Sequence, residues 1–538
     1  MFKAVELQVL SQPKCSRLVT LVSINLKSQA HWIIYLKLGA LLLLLASSNL
    51  QTCRSDKIVR QDSVRYAMLV DCGSSGSRAY IYYWPAGEQM DTNRLIGSIK
   101  KVKQADGKIA SLQVKPGLTS VRGNPEAASE YTRPFMDFAR THIPAAHRSS
   151  SRILFLATAG LRLLSDDLQH RIINDIETDL REDYSDFNDI QARVISGYEE
   201  GVYQWFSANG AANRLTKPST YRSIGGRGAK FAVLEMGGAS IQVTFEMTPQ
   251  IKAMVETRLS QLSMPEARYL LQQSRKYVKI GPQNGAELFS VSFLGFGSKS
   301  ARDLSTDLLL RDFAQSSPSI DLYLKPNSTI LLEDPCLAPG AVQLVQKPIA
   351  ILKQTGRKIG KAVSDGEAKI NVRFIGVLGD YNQCQRLLVR AIVIAKQERY
   401  QCPDKSPLVE PCSVSLLATD FVPFTRMQTL ALGEFYYTSN SFYDTTGQYV
   451  TPVALVKILR LCSTPYEQLL KQYPKEVEQE AERVLLGCFK LNWVFVWLHF
   501  ALRMPLNYLA ADLTQIQRLN NIDIEWTRGA ILLTAMDS

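Results

Sequence analysis

Residues 66–84 read YAMLVDCGSSGSRAYIYYW. The apolar run at 66–70 predicts a buried strand, and the aromatic run at 79–84 predicts a second strand. Between them, residues 71–78 place glycines and serines behind an acidic residue, a composition typical of a tight turn. The stretch therefore predicts a β-hairpin with a glycine- and serine-rich tip.

The same design returns at residues 231–245, FAVLEMGGASIQVTF. Here, too, a strand ends on a carboxylate, a glycine-rich turn follows, and a second strand leaves the turn. Asp71 heads the first turn and Glu235 the second. Two such units in one chain predict an internal duplication.

Strands and helices alternate around the two hairpins. Residues 152–156 predict a strand, 161–184 a helix, and 194–205 the approach to another helix, so we expect an α/β protein. Neither turn is a Walker loop or a Rossmann fingerprint, because no Lys-Ser or Lys-Thr ends it and a strand rather than a helix follows.

Both turns have the chemistry of phosphate-binding loops. Successive N–H groups in a tight turn hold an anion, and hydroxyls and a guanidinium add donors. The candidate phosphate-binding residues are Gly73, Ser74, Ser75, Gly76, Ser77 and Arg78 in the first turn, and Gly237, Gly238 and Ala239 in the second. One such turn alone would favour an ordinary hairpin. The paired carboxylates Asp71 and Glu235 favour a site for hydrated Ca²⁺ or Mg²⁺ that bridges phosphates.

Hydrolysis also requires a base that activates water. The chain has only 5 histidines, none of them in a motif, so a carboxylate is the better candidate. We select Glu200, beside Gly201; the alternative is a solvated charge at a helix start. Thr158, in the turn at 157–160, is a candidate third phosphate contact. Spacing alone favours the alternative that it caps the following helix.

Composition limits the class of protein. A chain of 538 residues with 46% hydrophobic and 21% charged residues predicts two or more folded cores. The net charge of +12 suits an anionic substrate, RNA or an acidic membrane surface. The positive charge is scattered, so we expect no nucleic-acid partner. The oligomeric state is not defined by these features.

The N-terminal region carries one apolar segment, HWIIYLKLGALLLLLASSN, at residues 31–49. It is just long enough to span a membrane, and the basic residues before it predict a cytosolic tail at residues 1–30. The alternative is a cleaved signal peptide. Both hypotheses place a stalk at residues 50–63 and send the remainder of the chain into the secretory lumen.

The cysteines of the C-terminal half indicate an oxidising compartment. This half contains an even number of cysteines, namely Cys336, Cys384, Cys402, Cys412, Cys462 and Cys488. Asn327-Ser328-Thr329 is a glycosylation sequon. Residues 252–275 predict a helix and 345–370 an irregular surface excursion. Residues 484–502 are strongly apolar but contain Lys490, Asn492 and His499, which favours a core helix over a membrane span.

Five motifs, taken in order, resemble the apyrase family, the nucleoside triphosphate diphosphohydrolases. They lie at residues 70–78, 157–163, 196–205, 236–242 and 488–493. Cys72, Trp84-Pro85, residues 293–297 and residues 526–531 resemble the intracellular, Golgi- or lysosome-type branch. The resemblance covers about residues 65–531, nearly the whole predicted lumenal part.

This resemblance implies a fold and an activity. The fold is α/β, with two RNase-H-like (actin/Hsp70-like) lobes and the active site in the cleft between them. We expect the first lobe at 64–193, completed by about 503–538, and the second at 194–502. The implied activity is hydrolysis of terminal phosphates of nucleoside di- and triphosphates of the UDP, GDP and UTP type. The implied location is the Golgi or another endomembrane, with a lumenal catalytic region.

The resemblance also implies roles for single residues. Glu200 matches the catalytic base, and Ser240 and Gln242 match residues that position the attacking water. Further matches are Asp71 and Glu235 for a metal held through water, Thr158 for the phosphates, and Tyr437 and Trp493 for the nucleobase. The two aromatic residues are equally good core residues, so that alternative stays open. The implied disulfides are Cys336–Cys384 and Cys462–Cys488, which leaves Cys402 and Cys412 as a local pair. One departure stands out, since Glu235 occupies a position where the family usually has aspartate.

Two alternatives stay open at this point. The first is another enzyme on the same scaffold, such as a sugar kinase or a polyphosphatase. The second is a non-catalytic or weakly active nucleotide-binding protein, which the glutamate at position 235 favours.

Overall fold

The protein is described here from a computed structural model. It describes residues 8–9, 20–21, 64–86, 92–216, 229–261, 274–280, 284–317, 329–353, 369–395, 427–442, 447–506 and 509–537. The chain divides into two compact units, Met1–Ser63 and Val64–Ser538. In the first unit, strand β1 (Gln8–Val9) pairs antiparallel with β2 (Thr20–Leu21). The apolar segment at 31–49 lies outside the described residues.

A six-stranded sheet contains the first predicted hairpin. Its strands are β3 (Val64–Cys72), β4 (Ser77–Pro85), β5 (Lys100–Lys101), β6 (Ser111–Val114), β7 (Arg152–Ala157) and β8 (Asp189–Val194). The order is β5-β4-β3-β7-β8, and β6 pairs with β4. Strand β3 is antiparallel to β4 and parallel to β7. Residues 67–70 of β3 are fully buried, as expected for a central strand covered on both faces.

A seven-stranded sheet contains the second hairpin. Its strands are β9 (Ala232–Met236), β10 (Ser240–Glu246), β11 (Arg275–Lys279), β12 (Gly285–Leu294), β16 (Thr429–Gly433), β17 (Gln448–Val450) and β18 (Leu509–Gln515). The order is β11-β12-β10-β9-β16-β18-β17. Strand β9 is antiparallel to β10 and parallel to β16. This repeats the surroundings of β3, in agreement with an internal duplication.

Helices cover both sheets. The first lobe has α1 (Thr92–Ser98), α2 (Ala128–His142), α3 (Ala145–Arg148), α4 (Ala159–Arg162) and α5 (Asp166–Asp183). They are followed by α6 (Gly197–Ala211), α7 (Pro249–Gln261), α8 (Ser298–Ser316), α9 (Ala350–Lys353), α10 (Tyr381–Ile394), α11 (Glu434–Phe442), α12 (Thr451–Ser463), α13 (Tyr466–Gln472), α14 (Pro474–Leu485), α15 (Gly487–Val496) and α16 (Trp526–Asp537).

Helices α6 and α16 join the two lobes through one core. That core contains Leu69 of the first sheet, Leu432 of the second, Trp205 of α6 and Ile531 of α16. The two helices cross at Gly529, where an added methyl group would lie 1.8 Å from the carbonyl oxygen of Tyr203. Only glycine permits this approach, so the crossing is fixed by sequence.

A small third sheet and two disulfides complete the second lobe. Strands β13 (Thr329–Glu333) and β14 (Val342–Pro348) flank β15 (Lys369–Ile375). The disulfides Cys336–Cys384 and Cys462–Cys488 are present, which confirms the implied pairs. The remaining predicted pair, Cys402 and Cys412, lies outside the described residues.

Several predicted elements differ from the structure. The helix predicted at 252–275 is present as far as Gln261, residues 262–273 lie outside the described residues, and β11 begins at Arg275, where the prediction was helix. The irregular excursion predicted at 345–370 contains the end of β14, the short helix α9 and the start of β15. The C-terminal segment 503–538 does not belong to the first lobe alone, because β18 pairs with β16 in the second sheet.

The apolar stretch at 484–502 packs inside the second lobe. Leu491, Trp493 and Trp497 are all at most 1% exposed in that core. Among the described residues no single helix is long and apolar enough to cross a membrane. Helix α14 and the helical stretch Gly487–Ala501, which consists of α15 and its continuation at 497–501, reach that length only together. The two are bent by 64° relative to each other.

Candidate active site

The two glycine-rich turns face each other. The first follows Asp71 at the end of β3, and the second follows Glu235 in β9. A methyl group added to Gly238 would lie 3.0 Å from Oγ of Ser74. The tips therefore almost touch, and the two carboxylates stand behind them.

Helix α6 brings Glu200 to the same place. Ser196 caps the helix, and Glu199 completes a capping box with it. Gly201 lies directly on the second sheet, where an added methyl group would be 2.3 Å from Oγ of Ser290 and 2.4 Å from Oγ1 of Thr244. The glycine thus lets the helix start lie close to β10 and β12. Glu200 is 8% exposed, so it is not the solvated helix-start charge of the alternative hypothesis.

Glu200 is the centre of a hydrogen-bond network. Its Oε2 accepts a hydrogen bond from Nη2 of Arg162 at 2.8 Å and another from Nε2 of Gln242 at 2.8 Å. Gln242 also donates to Oγ of Ser240 at 2.7 Å, and Arg162 reaches the same hydroxyl at 3.3 Å. The three predicted catalytic residues therefore meet around one carboxylate. Oε1 of Glu200 accepts no hydrogen bond within the described part of the chain.

Asp71 and Glu235 form a buried acidic pair, which the charges of Arg78 and Arg162 offset only in part. Burial, and then the charge of Glu200, raise the pKa of Asp71 to about 7. Burial raises the pKa of Glu235 well above its ordinary value, and the charges of Glu200 and Asp71 add to this effect. Oδ1 of Asp71 is buried and has no hydrogen-bond partner among the described residues. A divalent cation would supply the missing positive charge, so these residues fit the predicted metal.

The metal would be held indirectly. Within the described ranges, no group of three or more His, Cys, Asp or Glu side chains is arranged to ligate a metal. Two carboxylates acting through water need no such group, and Mg²⁺ in particular retains several of its waters.

Tyr131 and the segment at Pro116-Gly117 pack against the first turn. Tyr131 donates to the carbonyl of Pro116 at 2.7 Å and contacts Oγ of Ser77 at 3.0 Å. Gly117 lies so close that an added methyl group would be 2.3 Å from the carbonyl oxygen of Gly73. Ser77 is fully buried, whereas Arg78 is exposed and donates to Gln113 at 2.9 Å. Ser74, Ser75 and Gly76 consequently form the accessible tip.

The second turn is tied to helix α8. The carbonyl of Gly237 accepts from the N–H of Ser298 at 2.9 Å, and that of Gly238 accepts from Lys299 at 2.9 Å. The N–H of Gly237 is used within the turn, because it donates to the carbonyl of Ser240 at 3.0 Å. Gly238 and Ala239 are thus the better phosphate donors of the three residues predicted here.

Thr158 lies beside the first turn. Its N–H donates to the carbonyl of Cys72 at 3.3 Å, and its side chain makes no capping hydrogen bond to α4. An added methyl group on the neighbouring Gly160 would be 2.9 Å from Cα of Ser74. The alternative hypothesis of a helix cap is therefore not realised, and the hydroxyl is available to a phosphate.

Residues 57–538 match the GDA1/CD39 (nucleoside phosphatase) family. The chain belongs to this family. Human ectonucleoside triphosphate diphosphohydrolase 7 is 26% identical over 482 residues, which cover 87% of this chain and 73% of the relative. The Golgi apyrase of Schizosaccharomyces pombe is 27% identical over 500 residues, covering 88% and 75%. These findings confirm the resemblance to the Golgi- or lysosome-type branch and the assignment as a nucleoside phosphate hydrolase.

A solved structure shows the same fold. The crystal structure of nucleoside triphosphate hydrolases from Neospora caninum superposes with a TM-score of 0.56 at 13% identity, covering 93% of this chain and 97% of that chain. The two-lobed α/β architecture predicted from the sequence is confirmed.

The two aromatic residues predicted for the nucleobase lie in different environments. Tyr437, on α11, is 42% exposed. Trp493 is 1% exposed, donates from Nε1 to the carbonyl of Phe296 at 3.2 Å, and has its ring 5.8 Å from that of Trp497. Both faces of Trp493 are enclosed by protein, so in this structure it is a core residue with no surface for a base. Tyr437 retains the exposed ring that stacking requires.

Sequence reasoning missed two residues of the GDA1/CD39 site. Arg162 lies within the motif at 157–163 but received no role, although it is the cation that contacts both Glu200 and Ser240. Trp526, more than 400 residues along the chain, interacts with the side chain of Asp71 and partly offsets the rise of its pKa. The first had a signal, as a basic residue beside a phosphate turn. The second lies in the stretch 526–531 that resembles the family branch, but local spacing did not predict its interaction with Asp71.

Proposed function

We propose that this member of the GDA1/CD39 family hydrolyses the terminal phosphate of nucleoside di- and triphosphates with water activated by Glu200. The supporting observation is the position of the Glu200 carboxylate, which lies behind two apposed glycine-rich turns and is held by Arg162 and Gln242. A carboxylate with one oxygen fixed and the other unbonded is arranged as a general base.

Arg162 and Gln242 orient Glu200, and the free oxygen of Glu200 accepts the proton. Arg162 and Gln242 occupy Oε2 of Glu200, so Oε1 is the atom that takes the proton from water. Oε1 of Gln242 is buried without a hydrogen-bond partner among the described residues, so it can accept from the same water. The hydroxyl of Ser240 accepts from Gln242, and its own proton is left to donate to the water or to a phosphate oxygen.

The phosphate is held by the turns. Backbone N–H groups of residues 74–76 and 238–239, with the hydroxyls of Ser74, Ser75 and Thr158, provide donors on both sides of the terminal phosphate. A Ca²⁺ or Mg²⁺ held through water by Asp71 and Glu235 would neutralise charge on the phosphate chain. The exposed ring of Tyr437 would stack on the base, which tolerates several bases.

The substrate class and the compartment follow from the relatives and the sequence. We infer UDP, GDP and the corresponding triphosphates as substrates, in the lumen of the Golgi or another endomembrane, with residues 31–49 as the anchor. The support is the set of Golgi apyrase relatives and the order of tail, apolar segment and stalk before residue 64. In that setting the enzyme would remove nucleoside diphosphates left by glycosyl transfer.

Phosphate release from a nucleotide panel tests this function. The purified chain is assayed with UDP, GDP, ADP and their triphosphates in Ca²⁺, Mg²⁺ or chelator. We expect cation-dependent release, at least about 100-fold slower turnover in Glu200→Gln, and retained nucleotide binding in that variant. Glu199→Gln is the matched control, because Glu199 lies next in sequence and its partners are Ser196 and Arg193 rather than the residues around Glu200. Binding without release in the unmodified protein would instead support the non-catalytic alternative.

A further inference from the structure

A further carboxylate, besides Asp71, Glu200 and Glu235, lies near the site. Glu525 immediately precedes α16, and its Oε2 is 2.5 Å from Nζ of Lys101. The ammonium of Lys101 in turn lies 3.6 Å above the centre of the Tyr80 ring. The Lys101 and Glu525 side chains are 9% and 24% exposed, so the pair is fixed but not sealed from solvent.

The main chain also holds Glu525 in place. Its N–H donates to Oγ of Ser207 on α6 at 3.1 Å, and its carbonyl accepts from the N–H of Arg528 at 3.1 Å. Oε1 of Glu525 has no hydrogen-bond partner in the part of the chain that the structure describes. One oxygen is therefore anchored and the other is available, as in Glu200.

A nucleotide with its phosphates at the two turns and its base at Tyr437 would place its ribose near this carboxylate. Arg78 pairs with Asp71 across the β3–β4 hairpin, and Tyr80 lies on the same face of β4 two residues further on. Two residues along a strand span about 7 Å, which is roughly the distance from a phosphate to a ribose ring. Glu525 also interacts electrostatically with both Asp71 and Tyr437, at the phosphate end and the predicted base end respectively.

A carboxylate at this point suits vicinal hydroxyl groups. Acidic side chains bind ribose hydroxyls in other nucleotide-binding folds, because both hydroxyls donate to the same acceptor. Lys101 neutralises Glu525, which limits its repulsion of the nearby phosphates. It also leaves the unbonded oxygen as a strong acceptor.

We propose that Glu525, positioned by Lys101, binds the ribose hydroxyls of the nucleotide and makes the enzyme prefer ribonucleotides to their deoxy analogues. This inference rests on the proposed hydrolysis of nucleotides at the same site. A hydroxyl removed from the substrate would leave the free oxygen of Glu525 partly desolvated and without a donor, and such a site discriminates against the analogue that lacks the group.

The test compares kcat/KM for UDP, 2′-deoxy-UDP and 3′-deoxy-UDP, with inorganic tripolyphosphate as a substrate that has no sugar. We expect the unmodified enzyme to prefer UDP to at least one deoxy analogue by roughly tenfold. Glu525→Ala should bring that ratio close to one and leave the tripolyphosphate rate nearly unchanged. Glu525→Gln, which keeps an acceptor oxygen, should lie between the two.

Asp523→Ala is the matched control. Asp523 lies two residues away and pairs with Arg518 at 3.2 Å, outside the Lys101–Glu525 pair. Asp523→Ala should not alter the ratio of kcat/KM for UDP to that for its deoxy analogues. Each ratio compares substrates on one preparation. A smaller folded fraction in a variant therefore lowers all rates equally and leaves the ratio unchanged.

Equal rates for all three nucleotides, or an unchanged ratio in Glu525→Ala, would overturn the inference while the proposed function stands. A variant that changes the choice between UDP and GDP but not the sugar ratio would also overturn it, by assigning Glu525 to the base. No release from any nucleotide by the unmodified enzyme would remove the proposed function itself.

Discussion

Nη2 of Arg162 lies 2.8 Å from Oε2 of Glu200, and the two side chains are only 9% and 11% exposed. The same guanidinium donates from Nη1 to the carbonyl of Ile195 at 3.1 Å, just before α6 begins. One arginine from α4 therefore fixes both the base and the chain that leads to it. Removing one partner of such a buried pair leaves the other charge unpaired and strongly destabilises the folded protein.

Replacement of Arg162 by lysine should slow catalysis more than it weakens substrate binding. A lysine is a point charge and cannot reach Glu200, Ser240 and the carbonyl of Ile195 together. We expect kcat to fall roughly 10- to 100-fold, with a much smaller change in KM. Phosphate release under saturating cation measures both constants.

The control for this substitution is Arg193→Lys. Arg193 also pairs with a glutamate of α6, Glu199, at 2.8 Å, but that pair is far more exposed. It should leave kcat nearly unchanged. An equal loss in both variants would indicate a general effect on α6, and would contradict a specific role for Arg162.

A second prediction concerns stability in acid. His499 bonds to Tyr449 through Nε2 at 2.9 Å and to the carbonyl of Met504 through Nδ1 at 2.9 Å. Burial lowers its pKa below the ordinary histidine value. The unfolded chain therefore binds a proton more readily than the folded protein, so this contribution to the unfolding free energy is present above about pH 6.5 and is lost as the pH falls.

Thermal melts between pH 7.5 and pH 5 measure this effect. We expect Tm to fall towards pH 5, and the fall to be smaller in His499→Gln, which cannot take up the proton. His170→Gln, at an exposed position on α5, should keep the full dependence of Tm on pH that the unmodified protein shows. Identical slopes in all three proteins would show that His499 does not titrate on unfolding.

The sequence predicted the parts of the fold whose signals are local. Both hairpins, the alternation of strands and helices, and the position of α6 follow from short apolar runs and turn residues. Glu200, Ser240 and Gln242 were identified through motifs, and the structure brings them within hydrogen-bond distance of one another. Asp71 and Glu235 were predicted to share one metal site, and the structure brings the two turns that follow them together.

Other features depend on distant packing and have no local signal. Strand β18 lies in the second sheet, because it pairs with β16 some 80 residues earlier in the chain. Trp493 lies in the stretch 484–502 that was predicted as a core helix, but the family match assigned it to the nucleobase, and the packing around α15 decides for burial. The contact of Trp526 with Asp71 depends on how α16 crosses α6 at Gly529.

A third prediction separates the two aromatic residues. Tyr437→Ala should raise KM for UDP and GDP roughly tenfold through lost stacking, with no effect on tripolyphosphate. Trp493→Phe should leave both KM values unchanged and lower Tm, because it removes the hydrogen bond to Phe296 and creates a small cavity. Steady-state kinetics and thermal melts of the two variants check this. A raised KM in Trp493→Phe alone would return that residue to the nucleobase site.

The last prediction concerns the glutamate at position 235. Gly433 has a φ of +64°, and a methyl group there would lie 2.6 Å from Oε1 of Glu235. The missing side chain thus provides room for the longer carboxylate. Glu235→Asp should withdraw the carboxylate by one methylene and raise the cation concentration for half-maximal rate, with kcat at saturating cation little changed. Glu235→Gln should abolish the cation response, measured as activity and as the rise of Tm on adding Ca²⁺ or Mg²⁺.

A double-mutant cycle tests whether Gly433 serves this glutamate. Gly433→Ala alone strains the backbone by about 1–2 kcal/mol and crowds the carbonyl of Met236 in either background. Those costs cancel in the cycle, so the remaining coupling reports the contact with the carboxylate. We expect Gly433→Ala to weaken cation-dependent stabilisation more in the unmodified protein than in Glu235→Asp. Strict additivity would mean that the space at Gly433 has no connection with the length of residue 235.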